Sequence, residues 1–223
     1  MIVFNNVTLK YPYDEFEVLK DVSFTIHNGV NTVLADAQSG KSSICKLLLK
    51  DIAPTSGQIF VDEQAISSIT NANLDILYLP RKPIFFERKS VQYNVEYPLK
   101  IRKVGKMERQ AIACDMANKF GLKLDTKVCK LNQVERRALA LARGLTVKRS
   151  VALFDGFFDD DTLNLEYVNS ILQHFDTCVV LTHDTRLAMG HTVVLDGGTV
   201  VHEGDALEAQ QVVSQLHWLT QLC

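Results

Sequence analysis

At 223 residues, 47% of them hydrophobic, the chain has enough apolar material for one sizeable core. No apolar run approaches the roughly 18 residues that a membrane span requires. Its 24 basic and 26 acidic residues leave a net charge of -2, so nothing in the balance argues for a nucleic-acid partner or an acidic tail.

The opening MIVFNNVTLKY lacks the basic start and long apolar stretch of a secretory signal and reads as a first strand. Residues 2–8 and 22–26 are predicted strands, with a turn at Asn28-Gly29 before the apolar run Val30 to Leu34. After Gly40, Ile44, Leu47 and Leu48 fall on one helical face. Gln58 to Val61 reads as a strand, and Leu74 to Leu79 as another that stops at Pro80. Helical patterns cover 107–120 and 133–145, and Ser150 to Phe154 is a short buried strand. Residues 163–173 read as helix, Cys178 to Thr182 as an apolar strand, and 192–202 as a hairpin around Gly197-Gly198. A last helix follows Asp205. Strands alternating with helices imply a mainly parallel sheet covered on both faces, and the β-rich opening implies an attached antiparallel subdomain. The expected unit is one domain, 1–223. The cysteines Cys45, Cys114, Cys129, Cys178 and Cys223 form no CxxC pair and read as scattered reduced thiols.

The most chemical segment is Ala35-Asp36-Ala37-Gln38-Ser39-Gly40-Lys41-Ser42-Ser43, between an apolar strand and a helix. A P-loop needs that setting: backbone N–H groups at a helix N-terminus cradle phosphate oxygens. A lysine such as Lys41 neutralises the outer phosphates, and the Ser42 hydroxyl can ligate Mg²⁺. The strict pattern GxxxxGK[ST] fails at its first position, where Ala35 replaces glycine. The plain alternative is an ordinary loop entering a helix.

Five further segments follow a fixed order around this loop. They are the opening VTLKYPYDEFEVLKDVSFTI, then YLPRKPIFF (78–86) with SVQYNVEYPLKIRKV after it, LNQVERRALALARGL (131–145), VALFDGFFDDD (151–161) and VVLTHDTRLA (179–188). Their order and spacing resemble the ATP-binding-cassette ATPases over essentially the whole chain. The resemblance implies an α/β fold with a P-loop NTPase core, an N-terminal antiparallel β subdomain and a helical subdomain at roughly 84–147.

It also implies roles. Tyr11 stands where an aromatic stacks on adenine, although a tyrosine packing its strand neighbours is an equal reading of the residue alone. Arg81 takes the place of a glutamine that contacts Mg²⁺ and the attacking water, and is expected to pair with a phosphate instead. The segment beginning SVQYNVEYP resembles the start of the helical lobe that meets membrane-spanning partners. Its run Lys100, Arg102, Lys103 and Lys106 reads first as a solvated face. Asn132, Gln133 and Val134 occupy positions of Ser, Gly and Gly in the signature, where side chains crowd backbone amides meant for a γ-phosphate. Arg143 is in place on the following helix.

Asp155 matches the Walker B aspartate that holds Mg²⁺ through water. Gly156 replaces the glutamate that polarises the attacking water. Asp159, Asp160 and Asp161 stand where the family's D-loop begins, and read first as an acidic N-capping entrance to the helix beginning near Thr162. His183 matches the switch histidine that contacts the γ-phosphate. Gln38 replaces a glycine, at a cost of about 1 kcal/mol if the loop needs positive φ there.

By this resemblance the chain is the ATP-binding subunit of a membrane transporter, peripheral to the cytoplasmic face of the membrane. Its expected ligands are ATP and Mg²⁺. Its expected partners are a permease and a second nucleotide-binding domain, either a copy of itself or a better-preserved homologue. Two such domains share their sites head-to-tail, and the missing glutamate and signature glycines lie in one chain, so neither composite site would be complete. Losing a water-orienting residue slows phosphate transfer by about 10²–10³. Binding is expected to outlast hydrolysis. The alternatives are a catalytically inactive regulatory or scaffolding subunit and a cassette ATPase acting away from membranes.

Overall fold

The computed structural model describes residues 1–36, 38–70, 73–159 and 164–216. Ala37, Asp160, Asp161, Thr162 and Cys223 lie outside the described residues. The chain forms two compact units: Met1–Tyr78 with Ser150–Cys223, and Leu79–Arg149.

In the first unit, β1 (Ile2–Leu9), β2 (Leu19–Ile26), β4 (Ser56–Val61) and β5 (Gln64–Ala65) make an antiparallel sheet in the order β2-β1-β4-β5. Ile2, Phe4, Val7 and Leu9 of β1 and Leu19, Val22, Phe24 and Ile26 of β2 all face inward, because irregularities at the left-handed Asn6 and Asp21 reset the side-chain alternation partway along each strand. Phe4 and Phe24 are paired in register, and their rings stack 4.3 Å apart.

The second sheet contains β3 (Gly29–Ala35), β6 (Ile76–Pro80), β7 (Val151–Asp155), β8 (Thr177–Thr182), β9 (His191–Asp196) and β10 (Thr199–Asp205). Its order is β10-β9-β3-β8-β7-β6. β3 runs parallel to β8 and β9, β7 runs parallel to β8, and β10 returns antiparallel to β9. β8 is buried along its whole length, as a central parallel strand should be. One continuous core joins the inner face of the antiparallel sheet, Ile44, Leu47 and Leu48 of α1 (Lys41–Leu48), and Val33, Val179, Leu181, Val193 and Leu195 of the second sheet. A smaller cluster packs Ala209 and Val213 of α6 (Ala206–Gln215) on Leu34 and Val194. Four free cysteines are described, Cys45 and Cys178 buried, Cys114 and Cys129 exposed. Burial raises the Cys45 thiol well above its usual value and Cys178 to about 12.

The second unit holds α2 (Val91–Ile101), α3 (Lys106–Lys119) and α4 (Gln133–Leu145), each packed on the other two. Ser90 caps α2 by accepting a bond from the Tyr93 amide. The buried Asn94 ties α2 to the preceding loop, accepting from the Phe86 amide at 2.9 Å. The run Lys100, Arg102, Lys103 and Lys106 is exposed, as its solvated reading expected.

Several boundaries shift from the sequence expectation, as where the strand expected at 22–26 begins at Leu19, and two of the shifts bear on the site. The strand expected at 74–79 starts at Ile76 and includes Pro80. β6 is the edge of its sheet, where a residue without an N–H leaves no neighbour's carbonyl unpaired. The helix expected from 163 begins at Leu165 as α5 (Leu165–Leu172), and its N-cap is Asn164, which accepts from the Tyr167 amide. Asp159 is therefore no part of that cap. It is buried elsewhere.

Candidate functional site

The parallel register places Leu34 beside Thr182 and Asp155 beside Leu181. Three adjacent strands, β3, β8 and β7, thus end together, and their carboxyl ends deliver the loop 35–43, His183 and Asp155 to one edge of the sheet. Open α/β sheets build their ligand sites at such an edge.

The loop turns through two left-handed residues. Gln38 has φ 65° and Gly40 φ 93°. A Cβ on Gly40 would lie 2.6 Å from Leu19 Cδ2 and 3.2 Å from the Val18 carbonyl, so glycine is required there. Gln38 takes the strained conformation expected of it, and its side chain stays exposed. α1 begins at Lys41 with the amides of Ser43 and Ile44 bonded to the Gly40 carbonyl.

The Lys41 ammonium folds back to donate to the carbonyl of Ala35 and, at 2.7 Å, to that of Asp36. Burial lowers its pKa from the usual lysine value, while the negative charges of Asp159, Asp36 and Asp155 work in the opposite direction. The loop lysine is therefore a partly desolvated cation held by its own loop. Ser42 is exposed. Ser43 is buried and its hydroxyl is committed to the Tyr11 hydroxyl at 3.0 Å. The Lys46 ammonium lies 5.1 Å from the centre of the Tyr11 ring. Tyr11 is thus fixed beside the loop through Ser43 on α1.

Asp155 ends β7, and its Oδ2 accepts a hydrogen bond from the Tyr78 hydroxyl at 3.0 Å. Burial, followed by the charge of Asp155, raises the Tyr78 phenol far above its usual value, so it remains a donor. Sequence reasoning assigned Tyr78 no role. Its place on β6, two strands from β8, emerges only with the sheet order.

Gly156 has φ 59°, and its amide bonds the Leu181 carbonyl at 2.8 Å. The turn it begins buries Phe157 and Phe158 against Phe154, with ring centroids 5.9 and 4.8 Å away. It then brings Asp159 back toward the end of β8. Asp159 is 8% exposed. Its Oδ1 accepts from the Thr182 hydroxyl, and its Oδ2 lies 2.9 Å from His183 Nδ1. The Thr182 hydroxyl also accepts from the Asp184 amide at 2.9 Å. This corrects the capping role expected of Asp159: the carboxylate is a buried partner of His183. Proximity in sequence to the α5 N-terminus suggested the cap, but the carboxylate is committed to Thr182 and His183 at the end of β8.

A side chain at Gly156 would be strained in this left-handed turn. Gly156→Glu is expected to destabilise the fold by about 1 kcal/mol, read as a lowered urea midpoint. An unchanged midpoint would mean that the turn relaxes freely into an extended conformation.

The remaining predicted residues lie in the second unit. Arg81 is exposed, directly after β6. Arg143 donates to the Ile84 carbonyl at 2.8 Å and lies 4.6 Å from the Phe85 ring centre; burial lowers its pKa. At the start of α4, Asn132 and Glu135 form a reciprocal capping box, each side chain bonding the other's amide at 2.9 Å. Such caps contribute about 1 kcal/mol. Gln133 and Val134 are exposed in front of it, Val134 by 70%. This helix N-terminus is closed by its own side chains.

A family model described as ABC transporter matches residues 19–158. The energy-coupling factor transporter ATP-binding protein EcfA1 of Staphylococcus aureus is 31% identical over 225 aligned residues, covering 93% of this chain and 82% of its own. The Fe(3+) ions import ATP-binding protein FbpC 1 of Haemophilus influenzae is 28% identical, over 93% of this chain and 66% of its own. A dimeric ATP-binding cassette in a post-hydrolysis state, bound to ADP and Pi, matches with a TM-score of 0.77 at 22% identity, covering 92% of this chain and 99% of that one. A bacterial Atm1-family ABC exporter with ATP bound matches all of this chain with a TM-score of 0.79 at 24% identity, and the match spans 42% of the exporter chain. At these identities the two structures speak to the fold.

Proposed function

Because the chain belongs to the ABC transporter family and is similar to ATP-binding subunits of transporters, we propose that it binds Mg²⁺-ATP at the loop 35–43 and pairs head-to-tail with a second nucleotide-binding domain to drive a permease. The observation that carries this reading is the joint ending of β3, β7 and β8. It sets a left-handed Gly40, Lys41, Asp155 and His183 at one sheet edge. No helix among the described residues is long and apolar enough to cross a membrane. The proposed position is peripheral, on a permease at the cytoplasmic face.

Each side chain then has a task. Lys41 exchanges loop carbonyls for phosphate oxygens, a charge-assisted pairing that gains more than neutral hydrogen bonds do. Tyr11 offers its remaining ring face to the base. The exposed Ser42 hydroxyl and the Asp155 carboxylate are hard oxygen donors of the kind Mg²⁺ prefers. Bound there, the ion would neutralise charge on the outer phosphates. Tyr78 holds Asp155 in place. Arg81 supplies a cation to a phosphate in place of the family's glutamine. Asp159 orients His183, keeping the proton on Nδ1 and presenting Nε2 to the terminal phosphate.

Gly156 supplies no carboxylate for the attacking water, and the capping box closes the signature helix. These two features favour slow or partner-dependent hydrolysis, and they are the specific grounds for a second reading, a regulatory or scaffolding subunit that has given up turnover. The reading is tested by calorimetric titration with ATP, with and without Mg²⁺, on the chain and on Arg81→Gln. Saturable binding at one site, with a Mg²⁺ dependence that steepens in Arg81→Gln, is the expected result. No saturation up to millimolar ATP, alone or beside a partner cassette, would shift the assignment to the scaffold. An unaltered Mg²⁺ dependence would remove Arg81 from the site.

A further inference from the structure

His27, His191 and Glu203 come together in the first unit from the end of β2, from β9 and from β10, and no part of the proposed nucleotide chemistry uses them. His27 follows β2, His191 opens β9, and Glu203 lies on β10. In the antiparallel β9–β10 pair His191 is opposite Asp205 and Val193 opposite Glu203. His191 and Glu203 are therefore diagonal neighbours on one face. His191 Nε2 lies 3.1 Å from Glu203 Oε1, and the rings of His27 and His191 meet edge to face at 4.5 Å between centroids. One ligand atom from each of the three side chains falls within 4.8 Å of the other two.

The positions are fixed from behind. Asn31, 2% exposed, accepts from the His27 amide at 2.8 Å and donates to the His27 carbonyl at 2.7 Å. The same residue is the register partner of His191 across the β3–β9 pair. Gly190, at φ 63°, lets the chain enter β9, since a Cβ there would lie 1.9 Å from the Val30 carbonyl. The Thr25 amide donates to Glu203 Oε1 at 2.8 Å. Both recorded bonds to the carboxylate fall on Oε1.

We propose that His27, His191 and Glu203 form a binding site for a divalent transition-metal ion of the Zn²⁺ type. Two imidazoles and one carboxylate are the ligand chemistry of zinc sites with three protein ligands, in which water completes a tetrahedron. Three ligands with two nitrogens suit Mg²⁺ and Ca²⁺ poorly, because these ions take mainly oxygen donors. Tetrahedral bonds of about 2.0–2.1 Å separate ligand atoms by about 3.3 Å. The exposed His27 and Glu203 side chains close that gap by rotating about their own bonds. The ion clips the end of β2 to the β9–β10 hairpin. His27 and His191 precede β3 and open its parallel neighbour, while the phosphate loop follows β3. The two sites are thus separated by the length of a seven-residue strand, about 20 Å, and bind independently.

A structural strap is the competing explanation, in which Glu203 only satisfies the Thr25 amide at the edge of β2. Zn²⁺ titration of the nucleotide-free chain, against a chromophoric chelator, separates the two. It is done in a Cys114→Ser, Cys129→Ser, Cys223→Ser background so that thiols do not compete. The expected result is one equivalent of Zn²⁺ bound, a raised Tm reversed by chelator, and no competition from Mg²⁺. His27→Ala, whose side chain is exposed, and Glu203→Gln are each expected to weaken binding on the order of 10²-fold, at least the loss that supporting residues show. ATP binding should be unchanged in both. No saturable Zn²⁺ binding by the parent, or equal affinity in His27→Ala, would overturn the site and leave the strap.

Discussion

Replacing Lys41 with alanine is expected to weaken ATP binding on the order of 10²-fold, which corresponds to about 2.7 kcal/mol. The ammonium now donates to the carbonyls of Ala35 and Asp36, and on the proposed binding of nucleotide both bonds would be exchanged for phosphate oxygens. The variant loses the charge and leaves the carboxylates of Asp36, Asp155 and Asp159 without the cation that offsets them. A polyphosphate then enters a negative site. Calorimetric titration of the variant beside the parent reads the effect directly, and equal affinities would show that the loop does not carry the phosphates.

A pH dependence follows from the same residue. Burial lowers the Lys41 pKa, and only its charged form pairs with phosphate. As pH rises through that lowered value the charge is lost, so affinity should decline at a pH below about 10.4, where an ordinary lysine titrates. Lys41→Arg, which keeps its charge throughout, should flatten the decline. A decline that persists unchanged in Lys41→Arg would assign the titration to another group.

The second large effect is expected at Asp159. Asp159→Asn keeps the size of the side chain but offers His183 Nδ1 either an amide donor or a neutral acceptor in place of a carboxylate. The imidazole loses its fixed tautomer, and any turnover measured beside the proposed second cassette should fall on the order of 10²-fold with little change in KM. Nitrogen NMR of His183 supplies a readout that does not depend on turnover: the proton should reside on Nδ1 in the parent and shift in the variant. A parent-like tautomer and a parent-like kcat together would reduce Asp159 to a packing residue. Asp159→Ala goes further, because it removes the acceptor of the buried Thr182 hydroxyl proton and the partner of His183 Nδ1. A cost of about 2–3 kcal/mol on urea unfolding is expected.

Much of this molecule was legible in the linear sequence because its signals are local. The strand-like run at residues 2–8, the helical spacing of Ile44, Leu47 and Leu48, and the Gly197-Gly198 hairpin are each written within a few residues of one another. Strand, Gly40-Lys41-Ser42 and helix were likewise legible as a candidate phosphate loop, and the order of the other segments identified the family. Even the strain at Gln38 followed from its place in that loop.

What the sequence could not decide depends on contacts between distant segments. Asp159 reads as a helix cap from its neighbours, yet its carboxylate is committed to Thr182 and His183, more than twenty residues away. Tyr78 meets Asp155 only because β6 and β7 lie at the same edge of a six-stranded sheet. His27, His191 and Glu203 have no common motif, and it is strand register that gathers them. Local pattern determined the elements and the loop, because hydrogen-bond geometry and side-chain period act over a few residues. The partners of each buried polar group were decided by tertiary structure, since a desolvated carboxylate or hydroxyl takes whichever donor the packed core brings within reach.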